Sequence, residues 1–328
     1  MVDINRTFEL KKAKRERTPL LVGIVGPSGS GKTYSALRVA RGIQKVSGGT
    51  IAVIDTEARR ALHYADEFDF LHMPFGAPFG PLDYLAAVEV CQKAGASVIV
   101  VDSTSHMHEG PGGLLEMHDA EATRLCKGDE SKYERLSFSA WAEPKAQQRK
   151  FINAVLQMPV NFIFCFRAKD KLKPVPGRAP KQMGFQQIGA DEFIYEMTVN
   201  ALLLPGCNGH PTWQSDYEGE RLTMKLPRQF RGLMKEQPQL NEDVGQVLAE
   251  WAAGVKTAET SPALVMAERY WAARTPDEFT ALESERQNLW NVFTAPEKRR
   301  VKAASDEAKA RIVNAEFTAP AEPTDTAN

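Results

Sequence analysis

Apolar runs alternate with helical patterns over the first two-thirds of the chain. Five mostly apolar runs have the length of strands: residues 20–25, 51–55, 97–102, 160–166 and 198–204. Apolar residues recur with helical spacing at 34–46, 84–94 and 146–157. Uninterrupted β-branched runs that alternate with helices are typical of strands buried on both faces of a parallel sheet. The pattern therefore predicts an α/β fold at residues 19–255, with a mostly parallel sheet flanked by helices.

Two long connections interrupt this alternation, at residues 103–145 and 167–197. Connections of this length inside a compact domain are usually functional. Each follows the carboxyl end of a predicted strand, which is where open α/β sheets bind ligands. We therefore expect the functional site at this edge of the sheet.

The remaining segments differ in character from the α/β region. Residues 1–18 form a basic segment, for which contact with DNA or a second subunit and a solvated helix face are equally open. Residues 258–314 contain two capping boxes, at 275–278 and 294–297, and are predicted to form a small helical module. Residues 315–328 hold three acidic residues and two prolines, which predicts a disordered tail.

A glycine-rich segment follows the first predicted strand and precedes the first predicted helix. Its residues are Gly26, Pro27, Ser28, Gly29, Ser30, Gly31, Lys32 and Thr33. The pattern GxxxxGK[ST] between a strand and a helix is a phosphate-binding loop. Its glycines let backbone amides surround phosphate groups, Lys32 supplies a positive charge, and Thr33 offers a hydroxyl to Mg²⁺. The sequence therefore predicts that ATP and Mg²⁺ bind here.

Two acidic residues follow predicted strands. Asp102 ends the run at 97–102, so a rigid strand delivers its carboxylate to the Mg²⁺ shell. Hydrolysis also requires a group that orients or deprotonates water. Ser103, rather than a glutamate, follows Asp102, whereas Glu57 lies just past the second strand. Glu57 is therefore the candidate base, and the alternative is that it only caps the next helix.

The second long connection is basic. Its candidate DNA contacts are Lys169, Lys171, Lys173, Arg178, Lys181 and Phe185. Lysine and arginine neutralise phosphates, and an aromatic ring can stack on a base, so the segment is predicted to bind single-stranded DNA. A solvated surface loop and a lid over the nucleotide are the alternatives. The net charge of −1 does not exclude this prediction, because local patches dominate nucleic-acid binding.

Composition argues against several other classes of protein. No apolar run approaches the ~20 residues of a membrane span, and the polar N-terminus lacks the apolar stretch of a secretory signal. The four cysteines form no CxxC pair, so they indicate neither a zinc site nor a disulfide framework. We therefore expect a cytoplasmic protein without membrane contact.

Three motifs resemble the core of RecA-type recombinases, and the resemblance covers about residues 18–235. Residues 54–58 are similar to the family segment that carries the catalytic glutamate, and residues 98–103 are similar to its Walker B strand. The strand at 161–166 resembles the one that ends in a γ-phosphate sensor and leads into a DNA-binding loop. The family commonly has a polar residue such as Gln at the sensor position, where this sequence has Arg167.

The resemblance implies a RecA-like P-loop NTPase core in which Glu57, Lys32 and Arg167 are the catalytic residues. More narrowly, the chain is similar to phage-encoded RecA-like ATPases, grouped with AAA-type domains, that act in single-strand annealing or recombination. This implies an ATPase that binds single-stranded DNA as a ring or filament, in the host cytosol. The helical module is a candidate for oligomerisation or for recruiting a single-strand binding protein.

Other functions are open from the residues alone. A helicase loader or switch-like NTPase would act through protein partners, and a small-molecule kinase also uses a phosphate-binding loop. A further, non-enzymatic interpretation is an annealing protein in which ATP only organises the oligomer. The rate of ATP hydrolysis with and without single-stranded DNA distinguishes these possibilities.

Overall fold

The computed structural model of the chain describes residues 10, 12–13, 15–189, 191–234, 238–254, 262–293 and 295–318. The chain divides into two compact units, Met1–Val255 and Lys256–Asn328. The first unit contains the sheet, and the second contains only helices among its described residues.

Seven strands form the sheet of the first unit. They are β1 (Leu21–Gly26), β2 (Thr50–Asp55), β3 (Leu71–Pro74), β4 (Ala96–Asp102), β5 (Asn161–Val175), β6 (Arg178–Gln187) and β7 (Val199–Leu202). The order β3-β2-β4-β5-β1-β7 is parallel throughout, and β6 pairs with β5 in the antiparallel orientation. The predicted α/β class is confirmed. No apolar run predicts β3, because it is a short edge strand whose side chains are all at least partly exposed.

Helices cover both faces of this sheet. Those described in the first unit are α1 (Lys32–Ser47), α2 (Pro81–Lys93), α3 (His106–Glu109), α4 (Leu114–Cys126), α5 (Tyr133–Ala140), α6 (Ala142–Gln157), α7 (Asp191–Glu196), α8 (Glu218–Thr223), α9 (Arg231–Met234) and α10 (Glu242–Ala252). The long connection after β4 thus contains α3, α4 and α5. The buried positions of α4 include His118 and Ala122, which weakens its apolar periodicity and explains why the sequence pattern does not reveal it.

Two hydrophobic cores lie on opposite faces of the sheet. The first core joins the sheet to α1 and α10, and the second core joins it to α2 and α6. The backbones of α1 and α10 are in close contact because glycines stand at their crossing. A Cβ atom on Gly42 would lie 2.1 Å from the carbonyl oxygen of Glu242, and one on Gly245 would lie 2.2 Å from that of Val39.

The second long connection begins as a β-hairpin rather than a loop. β5 continues past its parallel neighbours to Val175, and β6 returns antiparallel to it from Arg178. We call residues 167–188 the hairpin. The sequence pattern does not predict the hairpin because it contains few apolar residues. Antiparallel backbone hydrogen bonds hold its two strands together without a large core.

Three helices make up the described part of the second unit: α11 (Pro262–Ala272), α12 (Pro276–Leu289) and α13 (Ala295–Thr318). Their core is built around Tyr270 and small alanine side chains. The capping box at the start of α12 forms, because the Thr275 hydroxyl accepts the Glu278 amide at 3.3 Å and the Glu278 carboxylate accepts the Thr275 amide at 3.3 Å. Thr294 of the other predicted box lies outside the described residues.

Parts of two further predictions also fall outside the described residues. These parts are residues 1–9, 11 and 14 of the basic segment and residues 319–328 of the predicted tail. Helix α13 extends to Thr318, so residues 315–318, predicted to be disordered, are helical. No helix in the described ranges combines the length and the apolar character needed to cross a membrane.

Candidate functional site

The carboxyl ends of four neighbouring strands bring the candidate residues to one edge of the sheet. Gly26 at the end of β1 is in register with Arg167 in β5. Asp55 at the end of β2 is in register with Asp102 at the end of β4, and Glu57 follows two residues after Asp55. The glycine-rich loop, the two acidic candidates and Arg167 therefore meet at one place, as the sequence predicts for an open α/β sheet.

The loop between β1 and α1 has the conformation that a phosphate requires. Gly29 and Gly31 have φ angles of 77° and 86°, a region that favours glycine. Helix α1 begins at Lys32, so its unpaired N–H groups and the positive end of its dipole face the loop. The Lys32 ammonium donates to the carbonyl of Pro27 at 2.8 Å, and burial lowers the pKa of Lys32. A positive group thus stands at the loop beside the first turn of α1, which suits a phosphate group.

Thr33 and Asp102 form a pair of oxygen donors next to this loop. The Thr33 hydroxyl donates to Asp102 Oδ2 at 2.5 Å. Burial raises the pKa of Asp102 to about 6, against the opposing effects of the Thr33 hydroxyl and the Lys32 ammonium. A hydroxyl and a carboxylate fit Mg²⁺, which prefers oxygen ligands and usually shares them with a bound phosphate. Within the described ranges no cluster of three or more His, Cys, Asp and Glu side chains could hold a metal ion.

Glu57 is held in place by a tight turn after β2. Ala58 and Arg59 have positive φ angles of 56° and 64°, a conformation that is costly for residues with a side chain. The Asp55 carboxylate stabilises the turn by accepting the amides of Glu57 at 2.8 Å and Ala61 at 3.0 Å. The buried carboxylate of Asp55 therefore positions the start of the turn, where the mostly buried side chain of Glu57 lies.

The Glu57 carboxylate forms a bidentate ion pair with Arg167. Arg167 Nε donates to Oε1 at 2.7 Å, and Nη2 donates to Oε2 at 2.5 Å. Burial acts to raise the pKa of Glu57, but the hydrogen bonds and charge of Arg167 outweigh it and lower that pKa. The helical turn that follows at Arg60–Tyr64 has no side-chain cap, so Glu57 does not cap it. Glu57 is ionised at neutral pH, and both of its oxygens accept hydrogen bonds.

A hydrogen-bonded network behind the two acidic residues is not evident in the sequence. The Thr56 hydroxyl oxygen accepts the Ser103 amide at 2.7 Å and lies 2.7 Å from His106 Nδ1. The His106 ring stacks on Phe79 with centroids 5.1 Å apart, and burial lowers the pKa of His106. The Tyr84 hydroxyl donates to the Ser103 carbonyl at 2.8 Å. The polar run directly after the third predicted strand was the available indication of this network.

A cavity of about 290 Å³ lies beside the glycine-rich loop. Tyr34 and Arg38 from the first turns of α1 line one side, and residues 206–209 with Gln239 line the other. Its volume is close to the lower end of small-molecule sites, and it offers an aromatic ring and amides beside the Arg38 guanidinium, which pairs with Glu242 at 2.9 Å. These lining residues were missed in the sequence because they come from segments far apart along the chain.

The predicted DNA-binding cations lie on the hairpin. Lys169, Lys171 and Lys173 alternate along β5, so their side chains project from the same face of the strand. Lys169 and Lys173 are exposed and Lys171 is half-buried, while Lys181 is exposed on β6 and pairs with Glu218 at 2.8 Å. Arg178 is the first residue of β6. The cations are thus gathered on one projecting element.

Phe185 differs from its predicted role as an open stacking platform. Its side chain is half-buried and packs against the second core. Its amide donates to the carboxylate of Glu220 at 2.9 Å. Much of the ring is therefore covered by the protein itself.

Hydrogen bonds connect the base of the hairpin to the site. The Ser105 hydroxyl accepts the Arg167 amide at 2.9 Å and donates to the Ile188 carbonyl at 2.7 Å, and the Ile188 amide donates to the Arg167 carbonyl at 2.7 Å. Farther out, the Lys169 ammonium lies 3.9 Å from the carboxylate of Glu109 in α3. The residue that pairs with Glu57 is therefore part of the hairpin's base.

Comparison with known proteins adds one match. A family described as an AAA domain matches residues 18–198. The matched region is more than half of the chain and contains the glycine-rich loop, both acidic candidates and the hairpin. No curated protein matches the chain.

Proposed function

The chain belongs to the AAA domain family of P-loop ATPases, and on that premise we propose that it hydrolyses ATP when single-stranded DNA binds to its hairpin. The proposed setting is strand annealing or homologous recombination of the phage type. The observation that carries the proposal is the ion pair between Glu57 and Arg167, because it joins the candidate base to the hairpin.

For ATP, the amides of residues 26–33 and the Lys32 ammonium would bind the phosphates. Thr33 and Asp102 are the residues that would hold Mg²⁺, which supplies positive charge to the phosphate oxygens. The nucleoside would lie in the cavity beside Tyr34 and Arg38, which continues outward from the same loop. Glu57 would accept a proton from the attacking water.

The ion pair supports stimulation of this reaction by a ligand of the hairpin. A carboxylate whose two oxygens both accept from one guanidinium is poorly available to water, and its lowered pKa makes it a weaker base. Arg167 lies at the base of the hairpin and shares hydrogen bonds with Ser105 and Ile188. Movement of the hairpin would displace Arg167 and free Glu57, with Arg167 then available to the γ-phosphate.

Single-stranded DNA is the proposed ligand of the hairpin because of its charge and shape. Lys169, Lys171 and Lys173 follow one face of β5, and Arg178 begins β6. A row of cations on an extended element suits a phosphate backbone. The partly covered ring of Phe185 makes electrostatic contact, rather than stacking, the main expected contribution.

Self-association as a ring or filament, a cytoplasmic location and contact with a single-strand binding protein complete the proposal. They rest on the resemblance to RecA-type recombinases. Light scattering or sedimentation with and without nucleotide would test the first of these.

The test measures the rate of ATP hydrolysis with and without an oligothymidine strand. We expect stimulation in the wild type, and loss of stimulation when Lys169, Lys171, Lys173 and Arg178 are replaced by Ala. The affinity for the strand should also fall, and the slope of log K against log salt should drop by about 0.7 for each lost phosphate contact. Unchanged stimulation and affinity would place the DNA site elsewhere, and transfer of phosphate to a metabolite would indicate a kinase.

The control variant replaces four exposed lysines on the helices of the first unit: Lys45, Lys93, Lys145 and Lys150. It changes the net charge by the same amount as the hairpin variant. If the two variants bind DNA equally weakly, total charge rather than the hairpin is responsible.

A further inference from the structure

A cleft in the second unit is lined by residues to which the proposed function assigns no role. It lies between the end of α12 and the start of α13 and has a volume of about 430 Å³. Its lining residues are Arg286, Gln287, Trp290, Asn291 and Lys302. We call it the Trp290 cleft.

The indole of Trp290 is flanked by cations from both helices. Arg286 Cζ lies 5.3 Å from the ring centroid, and Lys298 Nζ lies 5.8 Å from it. Arg286 lies in the last turn of α12, and Trp290, four residues later, follows that helix directly in helical conformation. Lys298 and Lys302 are four residues apart in α13, so each pair shares one face. The half-buried Trp290 packs against the core of the unit, which fixes the orientation of its ring.

Several cations of the second unit are held by protein groups, including Arg286 of the cleft, which pairs with Glu283 at 2.5 Å. Arg269 pairs with Glu285 at 2.6 Å, and Arg311 donates to two backbone carbonyls. By contrast, no hydrogen bond or ion pair joins Lys298 or Lys302 to a described carboxylate. Apart from the contact of Lys298 with the Trp290 ring, these two ammonium groups are therefore available to an anion.

We propose that the Trp290 cleft is a second contact for single-stranded nucleic acid, separate from the hairpin. Phosphates would bind Lys298 and Lys302, and a base would stack on the surface formed by the indole and the Arg286 guanidinium. The amides of Gln287 and Asn291 offer both donors and acceptors to the edge of that base.

The chemistry of the cleft favours nucleic acid over an acidic peptide. A nucleic-acid strand presents a flat ring and a phosphate in every nucleotide, which matches an aromatic surface beside two cations. An acidic peptide presents carboxylates and leaves the stacking surface without a partner unless an aromatic residue is added. The proposal goes beyond the proposed function, which places DNA only on the hairpin, and it does not depend on ATP hydrolysis.

The test measures binding of a fluorescent oligothymidine to the full chain by anisotropy over a range of salt. In the Lys298→Gln, Lys302→Gln variant, the salt slope should fall by about 1.4, which corresponds to two phosphate contacts on a single strand. Trp290→Leu should weaken binding by roughly 5–150-fold, the effect of losing one stacked base. Trp290→Phe keeps an aromatic face and should stay within a few-fold of the wild type. Far-UV circular dichroism of each variant checks that the helices are retained.

Lys309→Gln is the matched control, because Lys309 is exposed on α13 two turns beyond Lys302. Its effect should be smaller than that of Lys302→Gln alone. Equal effects of these two single variants, or unchanged affinity and slope in the double variant, would overturn the proposal. Direct binding of polyglutamate that is lost in the Lys298→Gln, Lys302→Gln variant, while that variant binds oligothymidine like the wild type, would also overturn it and identify an acidic peptide as the occupant.

The same measurements in the hairpin variant separate the two DNA sites. If the hairpin proposal fails, the hairpin variant binds like the wild type and the Trp290 cleft variants still bind more weakly. If the cleft proposal fails, the Trp290 cleft variants bind like the wild type and the hairpin variant binds more weakly. If both hold, the combined variant binds more weakly than either variant alone.

Discussion

The substitution Glu57→Gln tests the assignment of the base directly. It removes the negative charge and the proton-accepting carboxylate but preserves the size of the side chain. Glutamine can still accept one hydrogen bond from Arg167, in place of the two seen at 2.7 and 2.5 Å. The phosphate-binding loop, which reaches the site from β1 and α1, is unaltered.

Glu57→Gln should have a small effect on the free energy of unfolding and a large effect on kcat. The side chains of Arg167 and Glu57 are 37% and 13% exposed, so water screens the pair and its loss should change the free energy of unfolding by about 1 kcal/mol or less. A general base contributes about 10²–10⁴-fold to a rate. We therefore expect kcat to fall by at least about a hundredfold, or about 2.7 kcal/mol in the barrier, while ATP affinity changes only a few-fold.

The assay combines steady-state hydrolysis, measured with saturating oligothymidine because the proposed function needs DNA to free Glu57 from Arg167, with equilibrium binding of ATP in the presence of Mg²⁺. Lys32→Ala serves as the contrasting variant, because losing the ammonium that lies inside the loop should abolish nucleotide binding. Glu89→Gln, at an exposed position of α2, is the matched carboxylate-to-amide control and should behave as the wild type. A Glu57→Gln enzyme that turns over within tenfold of the wild type would refute the assignment of Glu57 as the base.

Two further predictions concern the contact between α1 and α10. Gly42→Ala should lower the free energy of unfolding in urea by about 1–2 kcal/mol, because overpacking against a backbone oxygen at 2.1 Å outweighs the helix propensity of alanine. Gly76→Ala, where a Cβ meets nothing within 4 Å, is the control, and equal stability of the two variants would contradict the packing argument. Burial acts to raise the pKa of Glu242, but Arg38 and Arg41 lower it to about 2, below the usual 4.5. The ionised carboxylate therefore stabilises the fold above pH 4.5 and loses this effect as the pH falls toward 2, so the stability difference between wild type and Glu242→Gln should shrink over that range; a constant difference would exclude this linkage.

The local features of the site could be read from the sequence because each depends on neighbouring residues. The loop from Gly26 to Thr33 requires only glycines between a strand and a helix, and Asp102 requires only an apolar strand before it. The parallel sheet follows from apolar runs that alternate with helices, since only strands buried on both faces tolerate such runs. Edge strand β3 and helix α4 were missed because partial exposure and small or polar buried residues remove the periodic pattern.

The sequence by itself determined the α/β core, the phosphate-binding loop and the two acidic candidates, because periodicity and short motifs encode these features locally. Only the tertiary structure decided what those residues contact. The strand register places Arg167 beside Gly26 and brings it onto Glu57, 110 residues away, and antiparallel pairing turns the basic connection into a hairpin. Tertiary packing also covers much of the Phe185 ring and places two cations, Arg286 and Lys298, over the ring of Trp290. Such contacts depend on how strands and helices pack. Local sequence patterns do not specify this packing for residues that are far apart along the chain.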